Sequence, residues 1–270
     1  MPRLDQELVS RGLARSRTHA AKLISDGKVS SGGQVLVKAA FPVDARTELD
    51  VESHLEDIYV SRAGHKLAGA LKAFPDVVVS GKRCLDAGAS TGGFTDVLLR
   101  EGAAQVVAVD VGHGQLVAHL RDDPKVEVHE GLNVRYMTPE QIGGAATLTV
   151  ADLSFISLTL VLWPLAQCTE PGGDMVLMVK PQFEVGKERL SRTGVVSSEN
   201  ERRRAVAQVA RAAVDAGLEL LDLAASPLPG QDGNVEYFLW MKRRMSAVLP
   251  KIEERDEDVA ALIKKLWPNH

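Results

Sequence analysis

Residues Asp86-Ala87-Gly88-Ala89-Ser90-Thr91-Gly92-Gly93-Phe94 form a glycine-rich bend between an apolar, strand-like run and a helix-like stretch with Phe94, Val97 and Leu98 on one face. Glycines at such a turn let the backbone come close to a ligand, and the free N–H groups of a helix start face whatever binds there. Gly88 is followed by three residues and then by Gly92-Gly93, so the dinucleotide fingerprint G-x-G-x-x-G is absent and a nicotinamide cofactor is disfavoured. Asp86 opens the bend, and a second acid, Asp110, closes the next strand-like run 17 residues beyond Gly93. There a carboxylate can accept both hydroxyls of a ribose, although an acid at a strand end also serves as an ordinary turn residue. Asn133, after the third run, is a candidate for contact with an adenine ring, against which stands the preference of Asn for turns.

Four more polar residues fall at the ends of predicted strands: Lys66 before the first, Asp152 after the fourth, Lys180 after the fifth and Glu236 within the last. Singly, each reads as a solvated side chain at a strand end. Together they would place two amines and two carboxyls at the sheet edge where α/β proteins bind their ligands.

The elements that must position these residues are legible as alternating apolar runs and helix-like stretches from about Val60 onward, the signature of a parallel sheet covered on both faces. Seven strands are predicted, at Arg83 to Ala87, Val106 to Asp110, Val126 to His129, Leu148 to Asp152, Met175 to Lys180, Leu218 to Leu223 and Val235 to Met241. Helices are predicted at Gly93 to Arg100 and Glu199 to Ala216. The Pro- and Gly-rich loop from Pro227 to Gly233 joins the last two strands and suits an antiparallel hairpin at one end of the sheet.

Ahead of this α/β region, Leu4, Leu8 and Val9 have the spacing of a short amphipathic helix that Gly12 stops. Ser16 can cap a second helix, running to about Asp26 with Ala20, Leu23 and Ile24 on one face. Ser31-Gly32-Gly33 is a turn between two short strands, and the acidic stretch 39–58 completes this small unit. Residues 1–38 hold seven Lys/Arg and three Asp/Glu, a net of +4, whereas 39–270 hold 25 and 33, a net of −8. Charge acts locally because salt screens it beyond about 10 Å, so the first 38 residues are the expected footprint on a polyanion. The boundaries read as 1–58 for the small domain, 59–64 for a linker and 65–270 for the large one.

A length of 270 residues with 45% hydrophobic and 25% charged side chains fits two globular domains. Ile156 to Ala166 is about half the roughly 20 residues that span a bilayer, and Pro164 interrupts it. The start Met1-Pro2-Arg3-Leu4-Asp5 lacks the pattern of a secretion signal. Cys84 and Cys168 sit in apolar runs as small buried hydrophobes. A reducing cytoplasm is expected, and no metal.

The motifs resemble a known family. Ser61-Arg62-Ala63-Gly64-His65-Lys66-Leu67, Leu85 to Phe94, Asp110-Val111-Gly112, Asp152-Leu153-Ser154-Phe155-Ile156-Ser157, Lys180-Pro181-Gln182-Phe183-Glu184 and Gly233-Asn234-Val235-Glu236-Tyr237 are similar to those of the TlyA family, which has also carried the name hemolysin. The N-terminal pattern Arg3-Leu4-Asp5, Leu8, Arg11-Gly12, Ala14-Arg15-Ser16-Arg17, Ala20, Leu23-Ile24 and Gly27-x-Val29 resembles an S4-like RNA-binding domain. The match extends over nearly the whole chain; His113 departs from it, standing where an aromatic residue is common.

The resemblance implies a seven-stranded, Rossmann-like class I methyltransferase domain of the FtsJ-like group behind an α+β S4-like domain. It implies S-adenosylmethionine as cofactor and the ribose 2′-hydroxyl of cytidine in 16S ribosomal RNA, 23S ribosomal RNA or both as target. It implies Lys66, Asp152, Lys180 and Glu236 as a catalytic tetrad. The cofactor would then meet Asp86, Gly88, Ala89, Ser90, Gly92, Gly93, Phe94, Asp110, Asn133 and Asp152, and RNA would meet Arg3, Arg11, Arg15, Arg17, Lys22 and Lys28. A ribose hydroxyl is a poor nucleophile until a base takes its proton, whereas a sulfonium methyl is already activated, so alignment and a base are what the protein supplies. Lys180 is the candidate base; burial and a second ammonium favour a neutral lysine while carboxylates oppose it, and the sequence leaves either lysine eligible. Ser154, Phe155 and Ser157 would shape the floor for the target nucleotide, Ser157 being equally a helix cap. A methyltransferase of another RNA or of a small molecule would share the glycine bend but have no use for a basic N-terminal module. A membrane-lysing protein is disfavoured, because no segment is long and apolar enough to insert.

Overall fold

The computed structural model describes residues 2–14, 17–44, 46–51, 58–186, 188, 190–246 and 251–268. The chain divides into two compact units, Met1–Val60 and Ser61–His270. The division falls inside the stretch read as a linker, and the first helix of the larger unit already begins at Arg62.

In the smaller unit, α1 (Leu4–Ser10) and α2 (Arg17–Ser25) share a core with an antiparallel sheet of β1 (Val29–Ser31), β2 (Gln34–Val35) and β3 (Asp50–Val51), ordered β2-β1-β3. Leu4, Leu8, Ala20, Leu23, Ile24 and Val29 are buried together, as their helical spacing requires. Asp5 accepts from Arg3 at 2.9 Å and from Arg17 at 3.0 Å, and these guanidinium groups hold its carboxyl down at about 2.

The larger unit comprises α3 (Arg62–Ala73), β4 (Arg83–Ala87), α4 (Gly93–Arg100), β5 (Gln105–Asp110), α5 (Ala118–Arg121), β6 (Val126–Glu130), β7 (Ala146–Ala151), α6 (Leu162–Gln167), β8 (Thr169–Val179), α7 (Glu199–Asp215), β9 (Leu218–Ala225), β10 (Tyr237–Arg243) and α8 (Ile252–Lys264). Its seven strands lie in the order β6-β5-β4-β7-β8-β10-β9, parallel except for β10, which runs against both neighbours. This is the expected α/β architecture, with the predicted hairpin formed by β9 and β10. On α7 the residues Val206, Val209, Ala210 and Ala213 recur at the period of a helix face and are buried in the main core with Leu177, Val179 and Leu239.

Because β10 is antiparallel, its first residues lie at the edge where the parallel strands end. Tyr237 pairs with Val179, which sets Glu236 beside Lys180. The expectation that Glu236 lies within the last strand is corrected: it immediately precedes β10, its carbonyl accepting from Ser226 N at 2.8 Å beyond the end of β9. The fifth strand also starts earlier than predicted, at Thr169, because a register shift against β7 absorbs Gly172-Gly173 without ending the ladder.

Candidate active site

The bend after β4 needs its glycines for two separate reasons. Gly88 has φ +87°, and a Cβ there would stand 2.7 Å from the carbonyl oxygen of Asp152. Gly92 caps α4 at φ +100°, and a Cβ there would collide with the side chain of Leu120. Between them Ser90 is held at φ +48°, a conformation that costs a non-glycine residue about 1 kcal/mol or more, and its N–H donates to Asp110 Oδ2 at 2.8 Å. Gly112 N donates to Asp110 Oδ1 at 2.7 Å. The strand-end acid is thereby fixed on the bend, with lone pairs left on both oxygens.

A cavity of about 500 Å³ opens there, lined on its polar side by Ser90, Asp110, Gln115, Asn133 and Asp152, and on its apolar side by Leu132, Leu153, Ile156 and Val161. A smaller hollow of about 160 Å³ shares Gly88, Ser90, Asp152 and Ser154 with it and reaches Ala89, Gly93, Phe94 and Lys180. Phe94 itself is 2% exposed, with its ring centroid 6.2 Å from that of Phe238. Asn133 lines the cavity and also caps the 3-10 turn Val134–Tyr136, accepting from Arg135 N at 3.0 Å.

Asp86 faces the core side of the bend. It is fully buried and accepts from Thr95 Oγ1 at 2.6 Å, while its other oxygen has no partner among the described residues. Burial, aided by the nearby charge of Asp152 and opposed by Thr95, pushes its carboxyl up to about 7. An acid raised in the folded state stabilises it below the unfolded value near 4, and that contribution is lost as pH rises through the folded value. Asp86→Asn is therefore expected to flatten the fall in thermal midpoint between about pH 4 and pH 8; an unchanged pH profile would show that Asp86 does not titrate there.

The four residues form two ion pairs, although Lys66 lies within α3 and not at a strand end. Lys66 Nζ lies 2.6 Å from Glu236 Oε2, both groups being buried at 8% and 2% exposure. Lys180 Nζ lies 2.6 Å from Asp152 Oδ1, outside hydrogen-bond alignment, and donates to Ser154 Oγ at 2.8 Å. Gln182 Nε2 donates to Glu236 Oε1 at 3.3 Å, tying the loop after β8 to the Lys66–Glu236 pair. Glu184, also buried, accepts from Ser157 Oγ at 2.5 Å and Leu158 N at 2.8 Å, so it locks the loop after β7 to the loop after β8. Burial raises its carboxyl above the usual range. Phe155, at φ +65° and 92% exposed, stands at the cavity mouth with its ring centroid 5.4 Å from that of Phe183. Sequence reasoning did not find Gln182 and Glu184 as holders of the site, since polar residues two and four positions after Lys180 carry no periodic signal.

In the smaller unit the candidate RNA contacts divide. Arg17 and Lys22 have exposed side chains, at 59% and 72%, and Arg3 is at 46%. Arg11 instead donates to Thr47 O at 2.6 Å, Asp44 O at 2.7 Å and Glu7 Oε1 at 2.8 Å, an internal strut across the 44–47 turn. Lys28 is half-buried, and Arg15 and the proposed cap Ser16 lie outside the described residues. Among the described residues no helix is long and apolar enough to cross a membrane. Burial pushes Cys84 up to about 12 and Cys168 up to about 11, which suits the inert role expected of them.

A glycine bend, a strand-end acid on it and a reversed seventh strand define a Rossmann-like methyltransferase domain. The FtsJ-like methyltransferase family matches residues 59–243, and the S4 domain matches residues 2–49. The chain belongs to the TlyA family, in which these two domains are joined. It is 55% identical to the 16S/23S rRNA (cytidine-2′-O)-methyltransferase TlyA of Mycobacterium tuberculosis strain CDC 1551 / Oshkosh, over 92% of both chains. A Campylobacter jejuni relative, a 23S rRNA (cytidine-2′-O)-methyltransferase, is 33% identical over 86% of this chain and 96% of its own. A solved Streptococcus thermophilus structure, described as a candidate hemolysin, is 36% identical over 99% of this chain and 98% of its own, with a TM-score of 0.70.

Proposed function

We propose that this protein transfers a methyl group from S-adenosylmethionine to the ribose 2′-hydroxyl of cytidine in ribosomal RNA, acting in the cytoplasm. The observation that carries the reading is the continuity of the glycine-bend cavity with a hollow that ends at Lys180, paired to Asp152. The methyltransferase names of relatives that match 86–92% of the chain support the choice of substrate.

The residues fit such a cofactor. A cavity of about 500 Å³ is in the range of small-molecule sites, its apolar wall suits a purine, and Asp110 offers acceptors to ribose hydroxyls. When bound, the cofactor supplies an electrophilic methyl on a positively charged sulfur. Asp152, lining both hollows, would put negative charge where they meet and anchors Lys180. The Lys180 nitrogen, positioned by Asp152 and Ser154, takes the proton of the ribose hydroxyl after giving up its own ammonium proton to solvent, and so returns to the ammonium form. Lys66 and Glu236, a buried pair beside Lys180, complete the charge balance, and Phe155 presents an exposed ring to the target base. Arg3, Arg17 and Lys22 on the S4 domain contact phosphates, giving affinity without reading sequence.

Transfer of labelled methyl from S-adenosylmethionine to ribosomal RNA, followed by alkaline cleavage, tests the proposal: a 2′-O-methyl group blocks cleavage at its own position. A single protected cytidine is expected, and label on a base or on a metabolite would overturn it. Asp110→Ala is expected to weaken cofactor binding by about tenfold or more, through loss of two charge-assisted hydrogen bonds; calorimetric titration with S-adenosylmethionine checks it.

A further inference from the structure

Among the described residues of the larger unit, three aromatic side chains are exposed: Tyr136 at 69%, Phe155 at 92% and Trp163 at 64%. All three lie in or next to segments that line one cavity. Phe155 lines the cavity, Tyr136 follows Val134 of its wall by two residues, and Trp163 follows Val161 of its wall by two. Phe155 belongs to the site already described; Tyr136 and Trp163 have no part in it. Their two elements are packed together, since Val134 and Met137 beneath the 3-10 turn share the buried core with Leu162, Leu165 and Ala166 of α6. Burying the apolar side of each element leaves Tyr136 and Trp163 on the solvent side. The Arg135 guanidinium lies 5.6 Å from the centroid of the Tyr136 ring, adding a cation to the same rim.

Large aromatic side chains left in water beside an arginine are the means by which proteins hold unpaired nucleobases, whose faces stack on rings whatever their sequence. A protein partner would call for a broader apolar patch, and here the Tyr136 ring stands beside a cation, on a turn that lines the cavity and packs against the helix bearing Trp163. We infer that Tyr136 and Trp163, with Arg135, form a stacking platform for unpaired RNA bases flanking the target nucleotide. The inference rests on the ribosomal RNA reading of the site. It assigns the rim a task separate from chemistry: holding the splayed strand so that one ribose reaches Lys180.

The test is a series at each ring, Trp163→Phe and Trp163→Leu, then Tyr136→Phe and Tyr136→Leu, assayed on ribosomal subunits that the wild-type protein methylates. The Leu variants are expected to raise KM for the subunit by about tenfold, with kcat, cofactor affinity and thermal midpoint near wild type. The Phe variants, which keep a ring, are expected to retain wild-type KM. Leu variants with unchanged KM would overturn the platform and favour a non-stacking apolar contact, such as one with a ribosomal protein. Equal losses in the Phe and Leu variants, or a fall confined to kcat, would overturn it as well. Failure of the wild-type protein to methylate any ribosomal RNA would instead sink the functional reading beneath it, so the two failures are distinguishable.

Discussion

Lys180→Ala is expected to lower methyl transfer by about 10²- to 10⁴-fold, the usual worth of a positioned general base, while affinity for S-adenosylmethionine stays within about twofold. The separation follows from geometry: Lys180 reaches the smaller hollow but does not line the 500 Å³ cavity. Its nitrogen is held by Asp152 at 2.6 Å and Ser154 at 2.8 Å, so its position is set before the hydroxyl arrives. Lys180→Arg sharpens the result. Arginine keeps the positive charge but cannot be deprotonated in proteins, so a variant as inactive as the alanine form supports proton removal. Substantial activity in the arginine variant would show that the charge alone matters. Single-turnover rates with saturating cofactor read this step without interference from product release.

Glu236→Ala is expected to unfold the protein at markedly lower urea, by about 3–5 kcal/mol, because it leaves the Lys66 ammonium buried without its counter-ion. Lys66 is 8% exposed and 2.6 Å from Glu236 Oε2, and Glu236 also anchors Gln182 through its other oxygen. Replacing both partners, as in Lys66→Met with Glu236→Leu, removes the stranded charge and is expected to recover most of that stability while leaving transfer abolished. Equilibrium unfolding of the two single variants and the double variant gives the coupling directly; additive losses would mean that the pair does not interact.

These effects could be anticipated from sequence to unequal degrees. The glycine bend, the helix from Gly93 to Arg100 and the acid at Asp110 were legible because each is local: turn chemistry, a helical period, a strand end. The pairing within the tetrad was not. Lys66 is 170 positions from Glu236, and nothing in their surroundings says that Lys66 meets this carboxylate rather than Asp152. The strand register, with Tyr237 opposite Val179, brings Glu236 to the edge beside Lys180, and the packing of α3 brings Lys66 to it. The start of β8 was missed for a related reason, since Gly172-Gly173 looks like a turn until a neighbouring strand absorbs it as an irregularity. The internal engagement of Arg11 was equally hidden, since the carbonyls its donors reach belong to a turn more than thirty positions away. Phe155 is legible as a residue near the site but not in its left-handed backbone, in a loop that Glu184 ties down through Ser157 and Leu158.

The placement of β10 between β8 and β9 has a consequence for biosynthesis. When the growing polypeptide has been made as far as β9, that strand has no neighbour to join, for the one that links it to the rest arrives later and must slide into a gap between two segments already made. The same late arrival delivers Glu236. A nascent chain thus carries an exposed, unzipped margin and an unfinished centre until its last strand emerges, and translation arrested before that point yields an inert, aggregation-prone product.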